Sequence, residues 1–223
     1  MQSRVVILDT ETTGLCFKED RIVDIGCIEL IHGEPTGETF QTYINPEKEV
    51  SPGALKVHGL HWDFLKKYPI FSQIAGDFLA FIQSSTLVIH NALFDVGFLN
   101  AELKRARHAP LENPILDTLA LAKKKFPGSA SKSLDALCRH FRIDLTKRSL
   151  HGALLDAELL SHVYRELTGG LQENLKFIAS KDFQKKTFSS NVRKSPRTFH
   201  LSPEETREYK NFLEKLRAFS GKK

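Results

Sequence analysis

Val5-Val6-Ile7-Leu8-Asp9-Thr10-Glu11-Thr12-Thr13-Gly14 is a short apolar run that ends on two carboxylates and a small, flexible segment. Residues 4–8 read as a buried strand, with the acids at its end. Strand side chains alternate with period two, so Asp9 and Glu11 share a face. Two carboxylates side by side repel each other and ionise together only with a cation between them. Oxygen-only donors of this kind suit Mg²⁺ or Mn²⁺. An isolated Asp-x-Glu is more often a solvated turn, so the reading depends on its surroundings.

Working outward, residues 22–31 read as a second strand and 39–44 as a third. His32-Gly33-Glu34-Pro35-Thr36-Gly37 between them reads as a hairpin-like connection. Ser51-Pro52 looks like a helix start, with Ser as cap and Pro in the first turn. Residues 71–82 carry apolar side chains at helical spacing, and 86–89 form another short buried strand. A helix is expected over 94–107. A short apolar stretch follows at 114–116, and Asp117 then caps a helix reaching Lys125. Pro127-Gly128 breaks the chain before a helix at 132–140. The last helix of the domain, 153–167, stops at Gly169-Gly170. Three strands followed by helices alternating with single strands predict an α/β domain on a mixed sheet.

The 223 residues suffice for one core and an extension. At 41% hydrophobic and 26% charged the chain resembles an ordinary soluble protein. No apolar run approaches the ~20 residues that span a bilayer, and the short run at the start has no cleavage site behind it. Cys16, Cys27 and Cys138 are widely spaced and form no zinc pattern, as expected of reduced thiols in a cytoplasmic protein. Residues 1–170 hold 19 Lys and Arg against 21 Asp and Glu, whereas 171–223 hold 13 against 6. The basic excess therefore sits in the tail. The front part needs a local reason to approach phosphates.

Two further islands supply one. His90-Asn91-Ala92-Leu93-Phe94-Asp95 follows the strand at 86–89 and puts Asp95 in the first turn of the next helix. His151-Gly152-Ala153-Leu154-Leu155-Asp156 opens the last helix of the domain. Five residues are too many for His151 and Asp156 to share one face of a continuous helix. A turn at Gly152 would let both reach one site.

These three islands resemble the exonuclease motifs of the DEDDh superfamily, within the ribonuclease-H-like fold. His151, five before Asp156, selects the histidine class over the tyrosine class. Phe126-Pro127-Gly128 and Ser133-Leu134-Asp135-Ala136-Leu137-Cys138 add a likeness to the epsilon proofreading subunits of bacterial DNA polymerase III. The resemblance runs nearly continuously over residues 4–170. It implies a mixed five-stranded sheet flanked by helices, with a C-terminal extension at 171–223. The activity it implies is 3′→5′ hydrolysis at single-stranded DNA ends with two divalent ions, Mg²⁺ or Mn²⁺. Asp9, Glu11 and Asp156 would hold one ion. Asp9 would bridge to the second, with Asp95 contributing largely through water. His151 would be the general base, while the histidines at 32, 61, 108, 140, 162 and 200 are expected to be structural or exposed.

By the same resemblance Thr12, Thr13, Gly14 and Leu15 contact the terminal nucleotide, Leu15 packing on a base. His58 lies near the terminal sugar or phosphate. Asn91 and Phe94 contact the penultimate nucleotide or shape the pocket, with core filling the alternative for Phe94. In the tail, Gln172-Glu173-Asn174-Leu175-Lys176-Phe177 fits the Gln-x-x-Leu-x-Phe pattern that docks on the sliding clamp (beta). Gln172, Leu175 and Phe177 would be the contacts. The alternative is an ordinary helix using Leu171, Leu175 and Ile178. The basic linker after it leads to Ser202-Pro203-Glu204-Glu205, which resembles a capping box. An amphipathic helix then follows through Tyr209, Phe212, Leu213 and Leu216. This part corresponds to the segment that ties such subunits to the polymerase (alpha) subunit; nonspecific attraction to DNA is the other reading. Two rivals remain for the whole chain: an oligoribonuclease or ribonuclease-T-like enzyme trimming RNA, and a catalytically silent module binding DNA or a polymerase.

Overall fold

The computed structural model describes residues 4–128, 130–146 and 150–169, together with 202–204, 207, 210 and 211. The chain divides into two units, residues 1–180 and 181–223. The expected clamp hexapeptide and the apolar stripe of the final helix lie outside the described residues. Among the described residues no helix is long and apolar enough to cross a membrane.

The first unit is built on a five-stranded sheet of order β3-β2-β1-β4-β5. Its strands are β1 (Arg4–Thr12), β2 (Ile22–Ile31), β3 (Glu34–Tyr43), β4 (Thr86–Ile89) and β5 (Ile115–Asp117). β2 runs antiparallel to both β1 and β3, whereas β4 lies parallel to β1 and to β5. The helices are α1 (Pro52–His58), α2 (Trp62–Leu65), α3 (Phe71–Ile82), α4 (Ala92–Arg105), α5 (Thr118–Lys125), α6 (Leu134–Phe141) and α7 (Ala153–Thr168). Both faces of the sheet are covered, so β1 is apolar on both sides. Val6 and Leu8 join one core with Phe71, Phe78, Phe98 and Leu99 from α3 and α4. Val5 and Ile7 join the other with Leu137, Ala157, Leu160 and Val163 from α6 and α7. By the same alternation Asp9 and Glu11 face α7, and Thr10 faces α4.

The structure bears out the mixed sheet and adjusts its edges. β3 begins at Glu34 rather than near residue 39, because His32 and Gly33 both have positive φ (55° and 82°) and turn the chain in two residues. Ile31 then pairs directly with Glu34. Pro35 is tolerated because β3 is an edge strand. α4 starts two residues earlier than its apolar period suggests, after Asn91 in a left-handed conformation (φ 67°). The four-residue α2 carries too little periodicity to be read from sequence. Two expected caps hold: Ser51 and Asp117 each accept a hydrogen bond from a backbone N–H of the helix they precede, and Ser133, expected inside a helix at 132–140, does the same for α6. α7 ends on Gly169 at φ 98°. Cys27 and Cys138 are buried, Cys16 is exposed, and all three are free thiols.

Gly26, in the middle of β2, fixes where α7 begins. A Cβ placed there would lie 2.2 Å from the Ala153 carbonyl carbon and the Leu154 nitrogen, both backbone atoms that cannot swing aside. A glycine inside a strand often marks such an approach. Gly26→Ala is therefore expected to push α7 off the sheet and cost about 1–3 kcal/mol, as overpacking does. Denaturant unfolding checks this, and an unchanged midpoint would refute it.

Candidate active site

The acidic end of β1 meets the N-terminus of α7. Asp9 pairs with Gly26 and Glu11 with Asp24 across the β1–β2 ladder. Since Gly26 lets α7 settle on this patch, the first turn of the helix stands over both acids. His151 Nδ1 lies 3.0 Å from Asp156 Oδ2. Gly152 between them is extended (φ −150°, ψ 131°), so the chain turns before the helix starts and the two side chains converge. The His151 N–H donates to the Val57 carbonyl (3.1 Å), and the Asp156 N–H to the Gly152 carbonyl (2.9 Å). Ligand atoms of Glu11, His151 and Asp156 all lie within 4.8 Å of one another. Glu11 and Asp156 are buried, and the His151 side chain is 43% exposed.

Asp95 approaches from the other side of β1. It is 3% exposed, and the Thr10 hydroxyl donates to its Oδ1 at 2.7 Å. Burial pushes the Asp95 carboxyl up to about 7, and the bond from Thr10 opposes that rise. Asp24 is also raised by burial, to about 6. A buried carboxyl with a raised pKa ionises more readily when positive charge arrives beside it. Buried oxygen donors around one imidazole thus suit a hard divalent cation.

This electrostatics has a measurable consequence. In the unfolded chain an aspartate titrates near ~3.9. Between that value and about 7 the fold holds a proton on Asp95 that the unfolded chain has lost. Stability falls with rising pH wherever the native state binds more protons. In chelator, the stability of the wild type relative to Asp95→Asn should therefore decline from pH 4 to 7, and added Mn²⁺ should flatten that decline. Parallel curves for the two proteins would rule it out.

Beside the carboxylates opens a cavity of about 760 Å³, whose lining includes Glu11, Thr12, Gly14, Leu15, His58 and Phe94. Leu15 is 87% exposed at its mouth. Phe94 packs against Phe98 with ring centroids 4.8 Å apart, so it serves core and cavity together. Two expected substrate contacts are not among the lining residues. Thr13 is fully buried, its hydroxyl bonding Asp20 Oδ1 and accepting from the Arg21 N–H, both at 3.0 Å. Asn91 borders a separate hollow with His90, Lys123 and Lys132. His58 borders the cavity but is only 4% exposed. Its Nδ1 accepts from the Leu60 N–H (3.0 Å), which leaves Nε2–H to donate to the Thr12 carbonyl (3.2 Å). With both ring nitrogens engaged, His58 shapes the Thr12–Gly14 segment.

Three supporting residues escaped the sequence reading: Thr10, Asp24 and Gly26. Thr10 was hidden between two acids on the opposite face. Asp24 and Gly26 interrupt the apolar run Ile22-Val23-Asp24-Ile25-Gly26, and that interruption was the available clue.

Acidic side chains at the end of the middle strand of a mixed sheet, with Glu11, His151 and Asp156 converging there, form a site suited to a divalent cation. Residues 6–164 match the exonuclease family described as RNase_T. The chain is 45% identical over 222 residues to the DNA polymerase III subunit epsilon of Rickettsia typhi, covering 96% of each chain. It is 39% identical over 201 residues to the subunit of that name from Escherichia coli, covering 86% of this chain and 82% of that one. Among solved structures, exonuclease X in complex with 5′-overhanging duplex DNA shares the fold, with a TM-score of 0.59 and 23% identity over 74% of this chain and 90% of that one. E. coli exonuclease I, in a zinc-bound complex with single-stranded DNA, has a TM-score of 0.68 and 17% identity over 80% of this chain and 43% of that one. The chain belongs to the exonuclease family and, within it, to the group of the DNA polymerase III epsilon subunits.

Proposed function

We propose that this protein removes nucleoside 5′-monophosphates one at a time from the 3′ end of single-stranded DNA, as the proofreading subunit of a bacterial DNA polymerase III. The observation that carries the reading is the convergence of Glu11, His151 and Asp156 within 4.8 Å, in a chain that shares 45% identity over nearly its whole length with an epsilon subunit.

In this reading Asp9, Glu11 and Asp156, with Asp95 beside them, hold two Mg²⁺ or Mn²⁺ ions. When bound, the ions lower the pKa of water and neutralise charge on the phosphate and leaving oxygen. That also explains how a mildly acidic domain accepts a DNA end. His151 Nδ1–H donates to Asp156, which fixes the tautomer and makes Nε2 the nitrogen that takes a proton from the attacking water. Thr12, Gly14 and Leu15 line the cavity where the terminal nucleotide lies, with Leu15 against the base and Phe94 at the neighbouring one. His58 holds the Thr12 carbonyl in place. Thr10 holds Asp95 toward the metal site.

The exonuclease domain spans residues 1–170, and 171–223 attaches it to its partners. Gln172, Leu175 and Phe177 dock on the beta clamp, and the final helix on the alpha subunit, in the bacterial cytoplasm. The basic composition of this tail and the Gln-x-x-Leu-x-Phe pattern support that assignment.

The test uses 5′-labelled oligonucleotides of matched DNA and RNA sequence with Mg²⁺ or Mn²⁺. A ladder of progressively shorter DNA products with released nucleoside 5′-monophosphate is expected. Faster shortening of RNA would favour the RNA-trimming reading, and no hydrolysis the silent-module reading; either would overturn this one.

A further inference from the structure

Asp24 has no catalytic or metal-holding role in the reading above, yet it occupies the joint between β2 and α7. It stands opposite Glu11 in the β1–β2 register, is 1% exposed, and accepts from the Ala153 N–H through Oδ2 at 3.1 Å. Ala153 is the first residue of α7, three before Asp156 and two after His151. The N-cap of α7, Gly152, has no side chain to serve its orphan N–H groups. Asp24 supplies that acceptor from the neighbouring strand. An acidic side chain also interacts favourably with the positive end of the helix dipole. The other oxygen, Oδ1, is buried without a hydrogen-bond partner. The Gln41 side chain and the Ile25 backbone also lie within hydrogen-bonding reach of this carboxyl, and the bond to Ala153 is the one that reaches α7.

We infer that Asp24 is a positioning residue: its carboxylate pins the first turn of α7 to β2 and so sets Asp156 and His151 in register with Glu11. The inference rests on the proposed nuclease site. Gly26 and Asp24 act as a pair, the glycine allowing close approach and the carboxylate fixing the rotation and height of the helix end.

The experiment compares the full-length wild type with Asp24→Ala, Asp24→Asn and Leu30→Ala. Leu30 is a fully buried core residue of β2 remote from the site, and its truncation serves as a control for lost stability. Each protein is assayed for kcat and KM on single-stranded DNA and for Mn²⁺ binding by calorimetry. Asp24→Ala is expected to lower kcat and weaken Mn²⁺ binding by about 10-fold or more, the order lost when residues supporting a metal site are removed. KM should change little. Asp24→Asn retains an oxygen acceptor for the Ala153 N–H and should recover most of the loss. Leu30→Ala should lower the melting midpoint without weakening Mn²⁺ binding. Should Asp24→Ala fail to fold, Asp24→Ser, too short to reach Ala153, makes the same contrast with Asp24→Asn. Wild-type Mn²⁺ affinity in Asp24→Ala or Asp24→Ser, failure of Asp24→Asn to recover, or an equal loss in Leu30→Ala would overturn the inference. An inactive wild type would instead sink the nuclease reading, and the calorimetry would still report on Asp24.

Discussion

Asp156→Asn is expected to lower kcat by about 10³-fold, because it removes one buried negative charge from the site that must hold the ions, a contribution of several kcal/mol. Asparagine preserves the size of the side chain and an oxygen that can still accept from His151 Nδ1–H, 3.0 Å away in the wild type. The substitution therefore isolates charge from shape. Since Asp156 is 3% exposed, losing its charge should not destabilise the fold, and the melting midpoint in chelator should hold or rise. Mn²⁺ titration by calorimetry should show binding weakened in parallel with the rate. Glu11→Gln, at the neighbouring position of the same cluster, should lose a comparable factor. The double variant should lose little more than either single one, as residues acting as a unit are not additive. Near-wild-type hydrolysis by Asp156→Asn, or a double loss equal to the product of the singles, would remove Asp156 from the metal site.

The individual strands and most helices of this chain could be read in the sequence because each obeys a local rule. The run at 71–82 has an unbroken helical period, and the structure gives α3 those bounds. Asp117 announces α5 because a short oxygen-bearing side chain before an apolar run satisfies an open helix end. The edges moved where backbone conformation, not side-chain pattern, decided them. His32 carries no glycine-like freedom, so nothing in its identity forecast the positive φ that tightens the β2–β3 turn. Within the site, Asp9, Glu11, Asp95, His151 and Asp156 were picked out by motif. The groups that hold them were not, since their importance is set by three-dimensional neighbours. Thr10 matters because α4 brings Asp95 to its hydroxyl. Thr13 and Asn91 sat in the same islands but are not among the residues lining the cavity, and a motif of consecutive residues carries no sign of which of them border it.

His151→Ala is expected to cost about 10²–10³-fold in kcat, the order that a positioned general base supplies, while Mn²⁺ binding and KM for DNA persist. The reasoning turns on what His151 does as distinct from Asp156. An imidazole so close to Glu11 and Asp156 has two possible employments: proton acceptor or metal ligand. A ligand would withdraw its nitrogen from proton transfer, and its loss would weaken the ion along with the rate. A base leaves the ion to the carboxylates, and its loss slows only the chemical step. One observation favours the base: the side chain is 43% exposed, open to the water it must deprotonate, while Nδ1 is directed at Asp156 Oδ2. That exposure also makes the role recoverable. Deleting the ring leaves a gap that solvent reaches, so free imidazole added to His151→Ala should restore part of the lost rate in a concentration-dependent way. Imidazole should have no such effect on Asp156→Asn. Unchanged Mn²⁺ affinity together with imidazole rescue would establish the base; weakened Mn²⁺ binding without rescue would make His151 a ligand and leave the proton acceptor to be sought elsewhere.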